Sequence, residues 1–393
     1  MEYNFSDKLA NLKPSAIREI LKATSDPRII PLAAGNPSVE AFPVDDVRRI
    51  AAEIFAEMPI TALQYSVTEG YPALREQIAD RMKRYGIGRE LDQVLVTAGA
   101  QQVMDLATKS LCNEGDTVIC EAPSFIGSLN CFRANGCRLV GVEVESDGMN
   151  IDKLEQALRT EKNVKFIYTI PNFQNPAGVT MSLEKRKALY EVAKKYGVLI
   201  LEDNPYGDLR VSGEDVPSIK SLDEDGIVIY AGSFSKILSP GLRVGYSIAP
   251  QALTAKMTVC KQTEDVHTAI FNQLVVSKWM EQCDFDAHIE KLRGIYREKL
   301  NLMCDTIDEK MNGFFTYNRP EGGLFVWCKI PDGIDMPAFC KEGIAAGVAA
   351  VPGSAFMVDD TQPTQYIRLN FSTPSNEQIV RGIELFAEIA KKY

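Results

Sequence analysis

The chain has 393 residues, 45% apolar and 24% charged, and 43 basic against 53 acidic side chains leave a net charge of −10. This is an ordinary globular composition, long enough for two or three compact units and a large core without disulfide or metal staples. The acidic balance argues against nucleic acid and anionic membrane as main partners, because both attract basic surfaces.

The N-terminus, Met1-Glu2-Tyr3-Asn4-Phe5, lacks the basic-then-apolar pattern of a secretory signal. No apolar run approaches the ~18 residues needed to span a bilayer. Positions 45–58 predict an amphipathic helix, with Val47, Ile50, Ala51 and Ile54 at helical spacing, and 71–85 predict another. Short apolar runs follow at 94–97, 117–120, 139–142, 166–170, 198–201 and 227–230, several rich in β-branched and aromatic residues. Helical segments separate many of them, and buried strands joined by crossover helices give an α/β fold with a mostly parallel sheet. After about residue 250 the pattern changes: 251–280 and 286–311 read as long charged helices, 324–330, 348–351 and 366–371 as sparser strands, and 376–391 as a closing amphipathic helix. These predict a second, smaller α+β unit. The two histidines, His267 and His288, are too few for a multi-histidine metal centre; the carboxylates and nine cysteines leave room for other metal sites, though no metal is expected. None of the nine cysteines forms a C-x-x-C, and such scattered cysteines point to reduced thiols and a cytosolic home.

Four segments place polar residues at the end of a predicted strand, where open α/β sheets bind ligands. Thr97-Ala98-Gly99-Ala100-Gln101-Gln102 is a small-residue turn into a helix, which exposes backbone N–H groups to an anion. Pro171-Asn172-Phe173-Gln174-Asn175-Pro176-Ala177-Gly178 is a turn whose amides could be donors. Leu201-Glu202-Asp203-Asn204-Pro205-Tyr206 puts a carboxylate after an apolar strand, as a cap or as a group aimed into a site. Ser233-Phe234-Ser235-Lys236, followed by Arg243, reads either as a solvated turn or as an anion site beside a nucleophilic amine.

Together these segments resemble the fold type I pyridoxal-phosphate enzymes, in particular the class I/II aminotransferases and their 2-aminoadipate/kynurenine aminotransferase-like branch. Further matches are Leu32-Ala33-Ala34-Gly35-Asn36-Pro37, Gln64-Tyr65-Ser66, Pro320-Glu321-Gly322-Gly323-Leu324-Phe325, Pro352-Gly353-Ser354-Ala355-Phe356 and Ile367-Arg368-Leu369-Asn370-Phe371-Ser372, so the resemblance runs from about Pro14 to the C-terminus. It implies an N-terminal arm over 1–44, a large cofactor-binding domain over 45–284 and a small C-terminal domain over 285–393. It also implies residue roles. Lys236 matches the Schiff-base lysine, Asp203 the partner of the pyridine nitrogen, and Asn175 and Tyr206 the donors to the ring's phenolic oxygen. Phe125 matches the aromatic that stacks on the ring. Gly99, Ala100, Gln101, Ser233, Ser235 and Arg243 match the phosphate cup, with Ala100 standing where some relatives have serine. Tyr65 matches a tyrosine that reaches the phosphate from a neighbouring subunit, which implies a homodimer. Arg368 matches the arginine for the substrate α-carboxylate, Gly35 and Asn36 lie in the loop that closes over substrate, and Arg18 aligns with an arginine that meets a distal carboxylate. The expected activity is cytoplasmic transfer of an amino group from an L-amino acid to a 2-oxo acid, 2-oxoglutarate in particular. The same scaffold also hosts C–S β-lyases, and regulators that only sense the cofactor.

Overall fold

The computed structural model describes residues 26–393, together with Tyr3 and Ser6. In chain order the helices and strands are α1 (Val44–Glu57), α2 (Pro59–Leu63), α3 (Pro72–Lys83), β1 (Asp92–Thr97), α4 (Ala100–Leu111), β2 (Thr117–Ala122), α5 (Ile126–Ala134), β3 (Arg138–Glu145), β4 (Gly148–Met149), α6 (Ile151–Thr160), β5 (Val164–Thr169), α7 (Leu183–Tyr196), β6 (Leu199–Asp203), β7 (Val228–Ser233) and β8 (Gly245–Pro250). They continue with α8 (Gln251–Glu264), α9 (Ile270–Gln282), α10 (Phe285–Lys310), β9 (Thr316–Tyr317), β10 (Phe325–Lys329), α11 (Met336–Ala346), β11 (Val351–Pro352), β12 (Tyr366–Asn370) and α12 (Asn376–Ala390).

Eight strands form one sheet in the order β1-β8-β7-β6-β5-β2-β3-β4, and the remaining four form a second sheet in the order β11-β12-β10-β9. In the large sheet β3, β2, β5, β6 and β7 run parallel, while β8 lies antiparallel between β7 and β1. β1 therefore points the same way as β7. The carboxyl ends of β1, β2, β5, β6 and β7 all reach one edge, and each of the four polar segments leaves a strand there. Strand β7 is buried along its whole length, as expected for a central strand covered on both faces. The second sheet is antiparallel throughout.

Local chemistry sets the element ends. Ser182 caps α7 by accepting from Lys185 N–H, and Gly197 closes it in the left-handed region at φ 66°. Ser375 and Gln378 form a reciprocal capping box at the start of α12. The predicted helix over 251–280 is two helices. It breaks where Asp265 folds back on Lys261 at 2.7 Å and Val266 takes φ 63°. Strand β8 escaped the periodicity reading because Gly245-Tyr246-Ser247 follows a turn directly and opens with small residues. In place of a strand over 348–351, the chain makes a single bridge from Val348 to Ile30 and then the short β11.

A buried arginine ties the site loops to the sheet. The Arg186 Nε donates to Met181 O at 2.9 Å, Nη1 to Val216 O and Pro217 O at 3.2 and 3.0 Å, and Nη2 to Pro171 O and Asn172 Oδ1 at 2.9 and 2.6 Å. Asn172 in turn donates to Asn204 at 3.0 Å, so the 171–178 turn and the segment after β6 are locked together. Replacing Arg186 with leucine leaves several buried acceptors unpaired. It is expected to lower the unfolding free energy by about 3 kcal/mol or more, read from urea denaturation.

Candidate active site

A cavity of about 470 Å³ opens at the carboxyl edge of the large sheet. Ala100, Gln101, Phe125, Asn175, Asp203, Tyr206, Ser233, Ser235, Lys236, Arg243, Gly35, Asn36 and Arg368 all line it. Residues from nearly the whole chain thus meet in one place: the 33–36 loop, the ends of β6 and β7, and strand β12 of the second sheet. Gly99 sits just behind as the N-cap of α4. Tyr65 lies outside the cavity, 79% exposed, with its ring edge-on to His267 at 5.8 Å. Arg18 falls outside the described residues.

Two cations dominate the cavity wall. Lys236 Nζ donates to Gly35 O at 2.8 Å. Burial, with help from Arg368 and Arg243, pulls its amine down to about 8, so a far larger minority is neutral near physiological pH than for an ordinary lysine. Arg368 is almost fully buried, and its pKa is pulled down to about 10 by desolvation. Its Nη1 donates to Asn175 Oδ1 at 3.0 Å, and its Nη2 to Ala33 O and Ala34 O at 3.0 and 3.2 Å. Its Nε has no partner, and no carboxylate pairs with it among the described residues. The guanidinium is held between Phe325 and Phe356, at 4.1 and 4.9 Å from the ring centres. A buried arginine satisfied only by neutral groups is a waiting anion site.

The opposite wall carries the carboxylate. Asp203 Oδ2 accepts from Tyr168 OH at 2.8 Å, while Oδ1 is buried without a partner. Burial raises the Asp203 carboxyl to about 7 against the pull of Tyr168. Between them, Asn175 is fixed by Arg368. With Oδ1 accepting from the guanidinium, Nδ2 is the donor side, and it reaches Tyr206 OH at 3.4 Å. Tyr206 accepts there, so its own proton remains to be donated, and burial keeps it protonated.

The last wall is a turn with no room for side chains. A Cβ on Gly99 would lie 2.4 Å from the Arg243 guanidinium, and one on Gly245 would lie 2.7 Å from Ala100 N. Gly99 has φ 82° and Arg243 has φ 52°, an unusual backbone for a non-glycine residue. Arg243 Nη2 donates to Ala98 O at 3.0 Å, and Ser233 Oγ accepts from Ser235 N–H at 3.1 Å. The start of α4, two hydroxyls and a guanidinium converge on one spot, which suits a phosphate.

The family "Aminotransferase class I and II" matches residues 27–386. The chain belongs to the class I and II aminotransferases. This aminotransferase is 41% identical over 397 residues to aromatic-amino-acid aminotransferase 1 of Thermococcus litoralis, covering 100% of this chain and 95% of the relative. It is 36% identical over 390 residues to the 2-aminoadipate transaminase of Thermus thermophilus, covering 98% and 96%. The crystal structure of Pyrococcus horikoshii kynurenine aminotransferase superposes with a TM-score of 0.95 at 38% identity, covering 99% of this chain and 97% of that one. The fold is that of the fold type I enzymes, the cofactor is pyridoxal 5′-phosphate, and the substrates are amino and oxo acids.

The residues present fit that cofactor. Asp203 Oδ1 is a buried acceptor with no protein partner, as a protonated pyridine nitrogen requires, and the turn at Gly99 leaves no Cβ in the way of a phosphate. Several residues of this aminotransferase's site escaped the sequence reading. Tyr168 and Ser128 back Asp203, and Ser128 also lines the cavity. Glu121 is fully buried and accepts from Thr169 Oγ1, Ile170 N–H and Gln174 Nε2 at 2.7, 3.1 and 3.0 Å, holding the base of the 171–178 turn. The sequence signal for Glu121 was a charge inside an otherwise apolar strand. Among the described residues no helix is long and apolar enough to cross a membrane.

Proposed function

We propose that this aminotransferase passes the amino group of an L-amino acid to 2-oxoglutarate, with a broad choice of donor side chain. One observation carries the reading: Lys236, its amine made easier to deprotonate by burial, shares a cavity with an Arg368 that lacks a carboxylate partner among the described residues. When bound, the cofactor supplies an electron sink for the pair released at Cα. Arg368 binds the substrate α-carboxylate with two parallel N–H donors and so orients the Cα–H bond. Lys236 would hold the cofactor aldehyde between turnovers and, once displaced, would take the proton from Cα and deliver it to the cofactor's C4′. Asp203 holds a proton at the ring nitrogen, and Asn175 and Tyr206 donate to the ring oxygen. Phe125 packs on the ring face. Gly99, Ala100, Gln101, Ser233, Ser235 and Arg243 seat the phosphate.

The 33–36 loop is the gate. Its carbonyls at Ala33, Ala34 and Gly35 occupy Arg368 and Lys236, so substrate must displace them, and Gly35 and Asn36 then face the bound molecule. Tyr65 serves the phosphate of a second copy. Support comes from its exposure within an apolar run, with Ile60 and Leu63 at 74% and 75% exposed, a surface that a homodimer would cover. We further propose a cytoplasmic location and the division into 1–44, 45–284 and 285–393.

Arg18 is assigned to the distal carboxylate of dicarboxylic substrates. A panel of donors with 2-oxoglutarate, on wild type and Arg18→Ala, tests the reading. Dicarboxylic substrates are expected to lose about 10- to 100-fold in kcat/KM and neutral amino acids little. Equal losses reject the role of Arg18, and pyruvate formed from cysteine conjugates without any oxo acid would move the activity to β-elimination.

A further inference from the structure

Tyr168 sits next to the carboxyl end of β5 with no exposed surface, its ring packed edge-on against Phe132 at 5.3 Å. Its hydroxyl has two partners. It donates to Asp203 Oδ2 at 2.8 Å and accepts from Ser128 Oγ at 2.8 Å. The chain Ser128 to Tyr168 to Asp203 therefore has one direction of donation, and it ends on a carboxylate oxygen. With Oδ2 occupied, Oδ1 is the only oxygen of Asp203 left for a ligand. No ion pair reaches Asp203 among the described residues, and the carboxyl of Glu121 is near enough to feel its charge. Among the described residues Tyr168 is thus the one protein donor on the Asp203 carboxylate.

We propose that Tyr168 is a positioning residue for the cofactor: through the Ser128–Tyr168–Asp203 chain it turns Asp203 so that Oδ1 alone meets the ring nitrogen, and it holds the carboxylate in its ionised form. The inference rests on the assignment of Asp203 to that nitrogen. Hydrogen bonds to a carboxylate favour its charged form, and a charged acceptor is what keeps a pyridine protonated. Tyr168→Phe removes one oxygen and leaves the ring in its packing against Phe132. The hydrogen bond it deletes ends on a charged group, a class whose loss is worth about tenfold or more in an equilibrium.

The test reconstitutes wild type, Tyr168→Phe, Ser128→Ala and Asp203→Asn with pyridoxal phosphate carrying 15N in the ring, and reads the nitrogen chemical shift and the rate of cofactor loss. Wild type is expected at the protonated-pyridine position and Asp203→Asn at the unprotonated one. Tyr168→Phe is expected to move toward Asp203→Asn and to lose cofactor about tenfold or more faster. Ser128→Ala is expected to move the same way by less. If Asp203→Asn shifts while Tyr168→Phe stays at the wild-type position, the role of Tyr168 is overturned and that of Asp203 stands. If Asp203→Asn does not shift, the assignment of Asp203 itself falls. Should Tyr168→Phe fail to fold, Ser128→Ala carries the test, because it leaves Tyr168 in place, and an unmoved shift there overturns the proposal.

Discussion

Lys236→Ala is expected to lower kcat by about 10⁴-fold or more while the protein keeps its fold. The lysine has two jobs in the proposed reaction, holding the cofactor and moving the Cα proton, and a positioned proton-transfer group alone is worth about 10²- to 10⁴-fold. Its structural share is small, since it makes a single hydrogen bond, to Gly35 O. Single-turnover kinetics with a pre-bound amino acid separates the loss of chemistry from the loss of cofactor, and circular dichroism reports the fold. The lowered amine adds a pH signature in the cofactor-free protein. Only the neutral amine attacks an aldehyde, so cofactor uptake by the wild type should rise with pH and level off above about 8. An ordinary lysine would keep rising toward 10.5. Uptake still climbing steeply at pH 9 would contradict the neutral-amine argument.

Arg368→Ala is expected to lower kcat/KM by about 10³-fold for every donor and acceptor alike, because the group it binds is common to all of them. Arg368→Lys should recover little. A lysine is a point charge that cannot reproduce the planar fork, and it would forfeit the seat between Phe325 and Phe356. The fork also orients Asn175 through Oδ1, so both variants should loosen the donor to the ring oxygen as well. Uniform loss across the substrate panel marks the α-carboxylate contact. A loss confined to dicarboxylic substrates would hand that role to another residue and reassign Arg368 to the distal group.

The parts of this molecule that the sequence made legible share a physical cause. Strands β2, β5, β6 and β7 are buried on both faces, so they appear as continuous apolar runs, and the polar residues that follow them can only be turns or site groups. Lys236, Asp203, Asn175 and Arg243 were visible for that reason, and the cavity holds all of them. Strand β8 stayed hidden because it opens with Gly245 directly after a turn and carries few bulky apolar residues, and the break between α8 and α9 because Val266 breaks no composition rule while taking a left-handed backbone. Tyr168 was invisible in a different way. In Phe166-Ile167-Tyr168-Thr169-Ile170 its ring belongs to the apolar pattern, and only coordinates reveal that its oxygen meets Asp203. Nothing in the sequence singles out Arg186, yet its whole guanidinium is spent on carbonyls and one amide.

The back-to-back meeting of Gly99 and Gly245 bears on how such an enzyme can diversify. A methyl group on Gly245 would sit 2.6 Å from the carbonyl carbon of Gly99, whereas one on Gly35 would meet the Phe325 ring at an ordinary 3.4 Å. The glycine pair at one end of the cavity is therefore frozen against replacement, whereas Gly35 at the other end tolerates it. Drift in donor preference can accumulate at the mouth without loosening the grip on the vitamin, so a single scaffold can radiate into many specificities while this glycine pair stays in place.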